Sequence, residues 1–282
     1  MTVNTPEQNQ TIAMNIAFIG GGNMASAIIG GLIKRGLAAS QIQVVEPFDA
    51  QRAKLKQAFG LQAEATPGAA LASAAIVVWA VKPQTFKDAA LDTRFHTKKA
   101  LHLSVAAGIR SDSIADWLGC ERIVRSMPNT PALIGKGVTA LFARPAVTAT
   151  DRLAVERVIQ TTGDYVWLEQ EEQLDAVTAL SGSGPAYVFY FIEAMVQAGT
   201  EMGLSREQAH KLAVGTFVGS SALAKASDEP PETLRARVTS KGGTTYAAIT
   251  SMEQDNVKNL FMRAMHAARQ RARELGDEFG AS

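Results

Sequence analysis

The sequence predicts an α/β fold for its first half and an all-helical fold for its second half. Short β-branched runs alternate with helical patterns as far as Gln170, as a parallel sheet covered by helices requires. After Gln170 no convincing strand pattern returns, and apolar residues recur at the 3.6-residue spacing of helices. We therefore predict two domains, one over residues 13–170 and one over residues 171–282.

The individual elements follow from the same patterns. The predicted strands cover residues 15–19, 42–45, 76–81, 101–105, 122–126, 138–143 and 165–168. In the first half, a helix over residues 24–35 ends at Gly36, and a second helix covers residues 151–161. In the second half, the predicted helices cover residues 171–180, 185–202, 206–226, 231–237, 244–253 and 257–275. Ser205 and Gln208 predict a capping box at residue 206.

Composition limits the classes of function. Hydrophobic residues make up 46% of the 282 residues, which is enough for packed cores. The 28 basic and 27 acidic residues give a net charge of +1, which argues against a nucleic-acid partner because such partners require a basic face. Cys120 is the only cysteine, so the sequence excludes an intrachain disulfide and a multi-cysteine metal site and indicates a cytoplasmic protein.

The sequence predicts neither a signal peptide nor a membrane partner. Residues 1–12 are polar and lack a basic segment followed by an apolar one. The most apolar helical pattern, residues 185–202, is interrupted by Glu193, Gln197 and Glu201, whereas a membrane span needs roughly 20 nearly uninterrupted apolar residues. This pattern therefore predicts a buried interface helix.

The strongest local signal is a glycine-rich turn between the first predicted strand and the first predicted helix. It has the pattern G-x-G-x-x-A, in which Gly20 permits a tight turn and Gly22 leaves room for a pyrophosphate. Ala25 lets the helix lie close to the strand, and the first helical turn, at Asn23 and Met24, offers free N–H groups to an anion. This context predicts a Rossmann-type dinucleotide-binding domain, with a purely structural glycine turn as the alternative.

Glu46 follows the second predicted strand, where an acidic residue accepts hydrogen bonds from the adenosine ribose. A carboxylate at this position repels a 2′-phosphate and favours NAD over NADP. The alternative is a solvated loop acid. Arg52 lies close enough in sequence to reach a phosphate, so both NAD and NADP stay open as cofactors.

The next three strands end in segments predicted to line the cofactor crevice, because ligands of open α/β sheets lie at the carboxyl ends of strands. The third strand ends in Ala80, Val81, Lys82 and Pro83. The fourth ends in small residues that a nicotinamide can approach, Val105, Ala106, Ala107 and Gly108. Asn129, after the fifth, either presents its amide to the site or belongs to a rigid turn between two prolines, and Lys82 is either a donor or a surface lysine.

A second candidate site lies in the helical half, where a short loop runs into a predicted helix. The loop consists of Ser240, Lys241, Gly242, Gly243, Thr244 and Thr245. Free N–H groups at the helix start and neighbouring hydroxyls suit a small anion such as a carboxylate. Helix capping alone is the alternative explanation. The four histidines show no metal-ligand spacing and no G-x-S-x-G motif occurs, so no metal site and no serine nucleophile are predicted.

Together these segments closely resemble the pyrroline-5-carboxylate reductase family over essentially the whole chain after the polar residues 1–12. The matching motifs are the glycine turn, AVKP at residues 80–83, NTP at residues 129–131 and LSGSGPAY at residues 180–187. The most specific part is VTSKGGTTYAAI at residues 238–249, which a general dinucleotide fold does not supply.

The resemblance implies an oxidoreductase that reduces 1-pyrroline-5-carboxylate to L-proline with NADH or NADPH. It also implies a homodimer formed through the C-terminal helices, with active sites near the subunit interface and with a decameric ring as a larger assembly. The substrate carboxylate is then held in the loop that contains Ser240, at the helix start matching Gly243, Thr244 and Thr245. Thr245 is the position that hydrogen-bonds the ring nitrogen or relays its proton, and Glu171 matches a substrate-proximal acid.

Two departures from the family leave the choice between NADH and NADPH open. Members that use NADPH often carry a small residue at the position of Glu46 and an asparagine near the position of Pro67. Two other functions also stay open, namely a related imine or ketoacid reductase and a non-catalytic redox sensor that only binds the dinucleotide. The intact loop 240–245 argues against a sensor, which has no need of a carboxylate site.

Overall fold

Seven strands form one sheet in the described part of the chain, residues 14–280 of a computed structural model. They are β1 (Ile16–Ile19), β2 (Ile42–Val45), β3 (Ile76–Trp79), β4 (Leu101–Ser104), β5 (Ile123–Met127), β6 (Gly137–Ala143) and β7 (Gly163–Trp167). Their spatial order is β2-β1-β3-β4-β5-β6-β7. Every residue of β1, β3 and β4 is buried, as expected of parallel strands covered by helices on both faces.

Strand β6 departs from the expected parallel sheet because it pairs with β5 in the antiparallel direction. The other neighbouring strands pair in parallel. A parallel connection needs a crossover of a dozen or more residues, usually a helix. Only residues 128–136 join β5 to β6, and they contain a single 3₁₀ turn at Thr130–Ile134. The short connection therefore reverses the chain.

Five helices connect the strands in the described chain, α1 (Asn23–Lys34), α2 (Asp49–Phe59), α3 (Pro83–Thr93), α4 (Ser111–Leu118) and α5 (Ala149–Ile159). The sequence pattern singles out α1 and α5. Helix α2 gives a weak apolar pattern because Leu55 is its one buried residue. The predicted stop of α1 is confirmed, since Gly36 has a φ of +93° and lies just beyond the C-cap Arg35.

The remaining described elements are helical, which confirms the predicted fold class. They are α6 (Gln173–Val177), a π-helical turn (Thr178–Gly182), α7 (Gly184–Glu201), α8 (Arg206–Lys225), α9 (Pro231–Arg237), α10 (Thr244–Gln254) and α11 (Val257–Gly280). Ser205 caps α8 and Gln208 bonds back to the Ser205 N–H, as predicted. Between residues 14 and 280, no helix has the length and apolar character that a membrane span requires.

The predicted helix over residues 171–180 is wrong in its second half. Helix α6 ends at Val177, and the chain widens into the π-helical turn, in which the Ser183 N–H donates to the Thr178 oxygen. The hydroxyls of Thr178 and Ser181 bond to carbonyls four residues earlier. Such side-chain bonds compete with regular helical bonding, and the glycines that follow favour helix formation poorly.

Two compact units are distinguished within the chain. Within the described residues, one comprises residues 14–183 and 268–280, and the other runs from Gly184 to Ala267. The division comes later than the predicted boundary at Gln170 because α6 contacts β5 and β6. The end of α11 belongs to the first unit as well, since Phe279 packs against the core on one face of the sheet.

A buried histidine lies in the core of the first unit. The Trp79 Nε1–H of β3 donates to His102 Nδ1 on the neighbouring strand β4 at 3.1 Å. Burial lowers the pKa of His102 from 6.5 to about 4, and the positive charge of Arg122 acts in the same direction. The imidazole is therefore neutral in the folded protein near neutral pH.

We expect His102 to make the folded protein less stable in mild acid. Below pH 6.5 the imidazole is protonated in the unfolded chain but not in the folded chain. The free energy of unfolding therefore decreases as the pH is lowered, until the imidazole is protonated in both states below about pH 4. The two pKa values correspond to a loss of about 3 kcal/mol. Urea unfolding of the wild type and of His102→Gln between pH 7.5 and 4.5 measures the effect. Parallel stability curves for the two proteins would contradict this assignment.

Candidate active site

The predicted cofactor residues lie along one edge of the sheet in the first unit. Strands β2, β1, β3, β4 and β5 are neighbours and run in parallel, so their carboxyl ends share this edge. The segments that follow these strands are Gly20–Ala25, Glu46, Ala80–Pro83, Val105–Gly108 and Asn129. Carboxyl ends of strands are where open α/β sheets bind their ligands. We refer to this edge as the crevice.

The glycine turn has the conformation that its sequence predicts. Gly20 has a φ of +92°, and a Cβ added to it would lie 2.6 Å from the Ala80 oxygen, so glycine is required there. A Cβ added to Gly22 would instead meet no atom within 4 Å. Gly22 is the N-cap of α1 and makes no side-chain cap, so the first-turn N–H groups of the helix have no capping side chain. The turn therefore fits a pyrophosphate group.

Glu46 is buried and holds the glycine turn through a hydrogen bond. Its Oε2 accepts from the Gly21 N–H at 2.8 Å, and its Oε1 accepts from the Phe48 N–H at 3.0 Å. The side chain is therefore not the solvated loop acid of the alternative interpretation, since only 6% of the residue is exposed. Arg52 is engaged as well, because its Nη1 donates to the backbone oxygens of Glu46 and Pro47 and its Nη2 pairs with Asp49.

The ends of β3 and β4 lie beside the glycine turn. The Ala80 N–H donates to the Ile19 oxygen at 2.8 Å, and the Val105 N–H donates to the Trp79 oxygen at 3.1 Å. Ala106 is buried, whereas Lys82 is exposed at the N-cap of α3. Exposure of Lys82 is compatible with both interpretations of this lysine, so its contact with a cofactor stays a prediction.

Asn129 uses both groups of its side-chain amide within the protein. Its Nδ2 donates to the Ser181 oxygen at 3.2 Å, and its Oδ1 accepts from the Val138 N–H at 3.0 Å. The side chain thus connects the end of β5 to β6 and to the π-helical turn. This bonding favours the interpretation as part of a rigid turn, and a contact with the cofactor stays a prediction.

The predicted anion site lies within the second unit. Helix α10 begins at Thr244, has Gly243 as its N-cap and makes no side-chain cap. Gly242 has a φ of +77°, and the Gly243 N–H donates to the Ser240 oxygen at 3.0 Å, so a tight turn precedes the helix. Thr244 and Thr245 are exposed. The structure thus brings the four predicted residues of this loop together at an uncapped helix start.

Glu171 does not lie in this loop but in the first unit, where a cluster of charged residues surrounds it. Its Oε1 accepts from the Ser111 N–H at 2.6 Å and from Arg125 Nη1 at 2.5 Å, and its Oε2 accepts from the Ser111 hydroxyl at 2.5 Å. Both carboxylate oxygens therefore have protein partners. A direct contact between Glu171 and a substrate stays a prediction.

Sequence reasoning overlooked the partners of Glu171. Arg125 is 5% exposed within β5, and burial lowers the pKa of its guanidinium while the charge of Glu171 raises it. Arg110 forms a bidentate pair with Asp175 at 3.2 and 3.0 Å. An arginine inside the apolar strand pattern Ile123–Met127 is the signal that could have revealed this cluster, because a buried charge requires a partner.

No metal centre emerges from the geometry. Among residues 14–280, no group of three or more histidine, cysteine, aspartate or glutamate side chains is arranged to hold a metal ion.

Comparison with known proteins places the chain in a family. Residues 171–275 match the family model described as pyrroline-5-carboxylate reductase dimerisation, and residues 15–108 match the model described as NADP oxidoreductase, coenzyme F420-dependent. A pyrroline-5-carboxylate reductase of Pseudomonas aeruginosa is 43% identical over 267 residues, which cover 94% of this chain and 98% of that protein. The chain belongs to the pyrroline-5-carboxylate reductase family.

Solved structures of pyrroline-5-carboxylate reductases share the fold. The Coxiella burnetii enzyme superimposes with a TM-score of 0.87 at 37% identity and covers 93% of this chain and 98% of its own. The Plasmodium falciparum enzyme, whose structure has NADP bound, superimposes with a TM-score of 0.84 at 29% identity and covers 94% and 99%. The predicted family, the fold class and the assignment to NAD(P)-dependent oxidoreductases are confirmed.

Two of the three glycines in the turn, Gly20 and Gly22, allow a test of the proposed pyrophosphate site. We expect Gly22→Ala to change the free energy of unfolding by less than about 1 kcal/mol, because the added methyl group enters open space. The same methyl group should weaken NADH binding by about 1–3 kcal/mol through overpacking of the site. Fluorescence titration with NADH and urea unfolding measure the two effects.

Gly20→Ala serves as the contrasting variant. Its positive φ and its contact with Ala80 should lower the stability of the fold itself by about 1–3 kcal/mol. If Gly22→Ala bound NADH as tightly as the wild type, the glycine turn would not be the pyrophosphate site.

Proposed function

We propose that this protein reduces 1-pyrroline-5-carboxylate to L-proline with a reduced nicotinamide dinucleotide. The observation that carries the proposal is the start of α10 at Gly243, which has no side-chain cap. This helix start lies within residues 238–249, the segment most specific to the family. The same chain also has a glycine turn with open space at Gly22. When bound, a reduced nicotinamide supplies the hydride that the imine carbon accepts.

The residues of the crevice hold and orient the dinucleotide. The N–H groups at the start of α1 bind the pyrophosphate, and Gly22 leaves the approach open. The chain at Ala80–Pro83 and Val105–Ala107 lines the crevice farther along the sheet edge. Alignment of two reacting rings can remove roughly 7–11 kcal/mol from a barrier, so the protein needs little further chemistry beyond positioning and a proton.

The residues at the start of α10 bind the substrate and assist its protonation. The free N–H groups at Thr244 and Thr245 bind the substrate carboxylate, and the Ser240 hydroxyl lies in the same loop. The Thr245 hydroxyl donates a hydrogen bond to the ring nitrogen or relays a proton to it. Protonation of the nitrogen makes the neighbouring carbon electrophilic, and addition of one hydride and one proton across the C=N bond gives the amine.

The buried carboxylate of Glu46 supports a preference for NADH. Its two oxygens are fixed by the N–H groups of Gly21 and Phe48, so the negative charge cannot turn away from the end of β2. A 2′-phosphate placed at this strand end meets an acid of the same charge sign, whereas a ribose hydroxyl can donate to it. Arg52 is already bonded to backbone oxygens and to Asp49 and offers no compensation.

The activity assay with both cofactors tests the proposal most directly. We expect the protein to oxidise NADH in the presence of pyrroline-5-carboxylate, with a larger kcat/KM for NADH than for NADPH. Absorbance at the reduced-nicotinamide band measures both rates, and a panel of other cyclic imines and ketoacids distinguishes a related reductase. Binding of NADH without turnover of any compound would favour the redox sensor and contradict the proposal.

Thr245→Ala tests the role of the hydroxyl. We expect kcat/KM for pyrroline-5-carboxylate to fall by about 10²- to 10⁴-fold, the usual contribution of a positioned proton donor. NADH affinity should stay near the wild-type value. Thr245→Ser, which keeps the hydroxyl, is the matched control and should retain most of the activity. Unchanged turnover of the alanine variant would remove Thr245 from the mechanism.

Association of two chains through the helical unit belongs to the same proposal. Among the described residues of this unit, the buried hydrophobic ones are Val196, Ala209 and Ala213, whereas Phe189 and Tyr190 are 64% and 70% exposed. An isolated unit with so little buried apolar surface gains little stability from its own packing, and large exposed apolar patches mark interfaces. We propose a homodimer formed through the C-terminal helices, a decameric ring built from such dimers and a cytoplasmic location.

A further inference from the structure

The loop that joins β4 to α4 is fixed by side chains from other parts of the first unit. It runs from Val105 to Arg110 at the crevice edge of the sheet. Its residues Val105, Ala106 and Ala107 are those predicted to approach the nicotinamide. Within the loop, Ala106 and Ile109 are buried in the core, and charged side chains from the surrounding structure fix its far end.

Glu171 fixes the far end of this loop. Its carboxylate accepts from both the N–H and the hydroxyl of Ser111, the first residue of α4, and so takes the place of an N-cap side chain that Arg110 cannot provide. Arg125 in β5 donates to the same carboxylate, so the charge is balanced in a position that is largely buried. The Ser111 hydroxyl also accepts from Arg144.

Asp175 and helix α11 fix the loop from a second direction. Asp175 in α6 holds the Arg110 guanidinium through two hydrogen bonds. A Cβ added to Gly276 of α11 would lie 2.8 Å from Arg110 Nε, so the guanidinium packs directly on that helix. Gly108 has a φ of +73°, and a Cβ added to it would lie 3.2 Å from Leu275. The backbone of the loop therefore lies against α11.

We propose that Glu171 and Asp175 are positioning residues, which place the loop 105–110 for hydride transfer and do not contact the substrate. The inference rests on the proposed function. It explains why two carboxylates, each with both oxygens hydrogen-bonded to protein groups, lie behind the loop at the crevice edge. It also reassigns Glu171 from a substrate contact to a residue that acts through the loop.

Three variants of the full-length protein test this proposal. Glu171→Gln and Asp175→Asn keep the size of each side chain and remove its charge. Asp151→Asn is the matched control, because Asp151 is a similarly buried carboxylate paired with an arginine, Arg122, at 2.7 Å. Arg122 directly precedes β5, so this pair lies at the amino end of the strand, away from the crevice.

The readouts separate loop position from general stability. They are kcat and KM for each substrate, the NADH dissociation constant, the primary deuterium isotope effect with 4-deuterated NADH, and backbone hydrogen exchange of residues 105–111 in the free protein. Misplacement of reacting groups by about 1 Å can cost roughly 10²-fold in rate, so we expect Glu171→Gln and Asp175→Asn each to lower kcat at least about tenfold. Both should enlarge the isotope effect and accelerate exchange in the loop, with NADH affinity little changed.

Asp151→Asn should lower the melting temperature without altering the isotope effect or exchange in the loop. The proposal is overturned if the isotope effects of Glu171→Gln and Asp175→Asn equal that of the wild type. It is also overturned if Glu171→Gln alone raises the KM for pyrroline-5-carboxylate while Asp175→Asn behaves like the control, since that pattern indicates direct substrate contact. Failure of the wild type itself to reduce pyrroline-5-carboxylate would instead contradict the proposed function.

Discussion

The parallel pairing of β2, β1, β3, β4 and β5 is the constraint on which the crevice depends. Parallel strands place their carboxyl ends at one edge, and each strand there passes into a loop or a helix start. Residues far apart in sequence, such as Gly20, Glu46 and Val105, reach the same edge for this reason alone. The reversal of β6 does not disturb the crevice, because it follows the last strand that contributes to it.

Buried charge is used in two ways around this edge. Glu46 accepts from backbone N–H groups without a partner arginine on its carboxylate oxygens, so its charge is balanced by peptide dipoles. Glu171 and Asp175 are instead paired with Arg125 and Arg110. Removing one member of a buried pair leaves the other charge uncompensated and destabilises the fold.

The sequence predicted most of the fold and the tight conformation of the glycine turn. Strand β2 and helix α9 were placed with their observed bounds, because a β-branched run and a proline start signal them locally. The π-helical turn at Thr178–Gly182 was not predicted, since its bonds depend on hydroxyls that compete with the backbone. The partners of Glu171 were also not predicted, because Ser111 and Arg125 lie 60 and 46 residues away from it in sequence.

By itself, the sequence determined the family, the two kinds of structure along the chain and the position of both uncapped helix starts. These properties depend on local sequence. Glycine, proline and hydroxyl-bearing residues influence the backbone conformation of their neighbours, and the spacing of apolar residues indicates a helix or a strand. Only the tertiary structure decided which side chains are already engaged, as with both amide groups of Asn129 and both oxygens of Glu171. A hydrogen bond depends on distances of a few tenths of an ångström between residues that the chain brings together only when it folds.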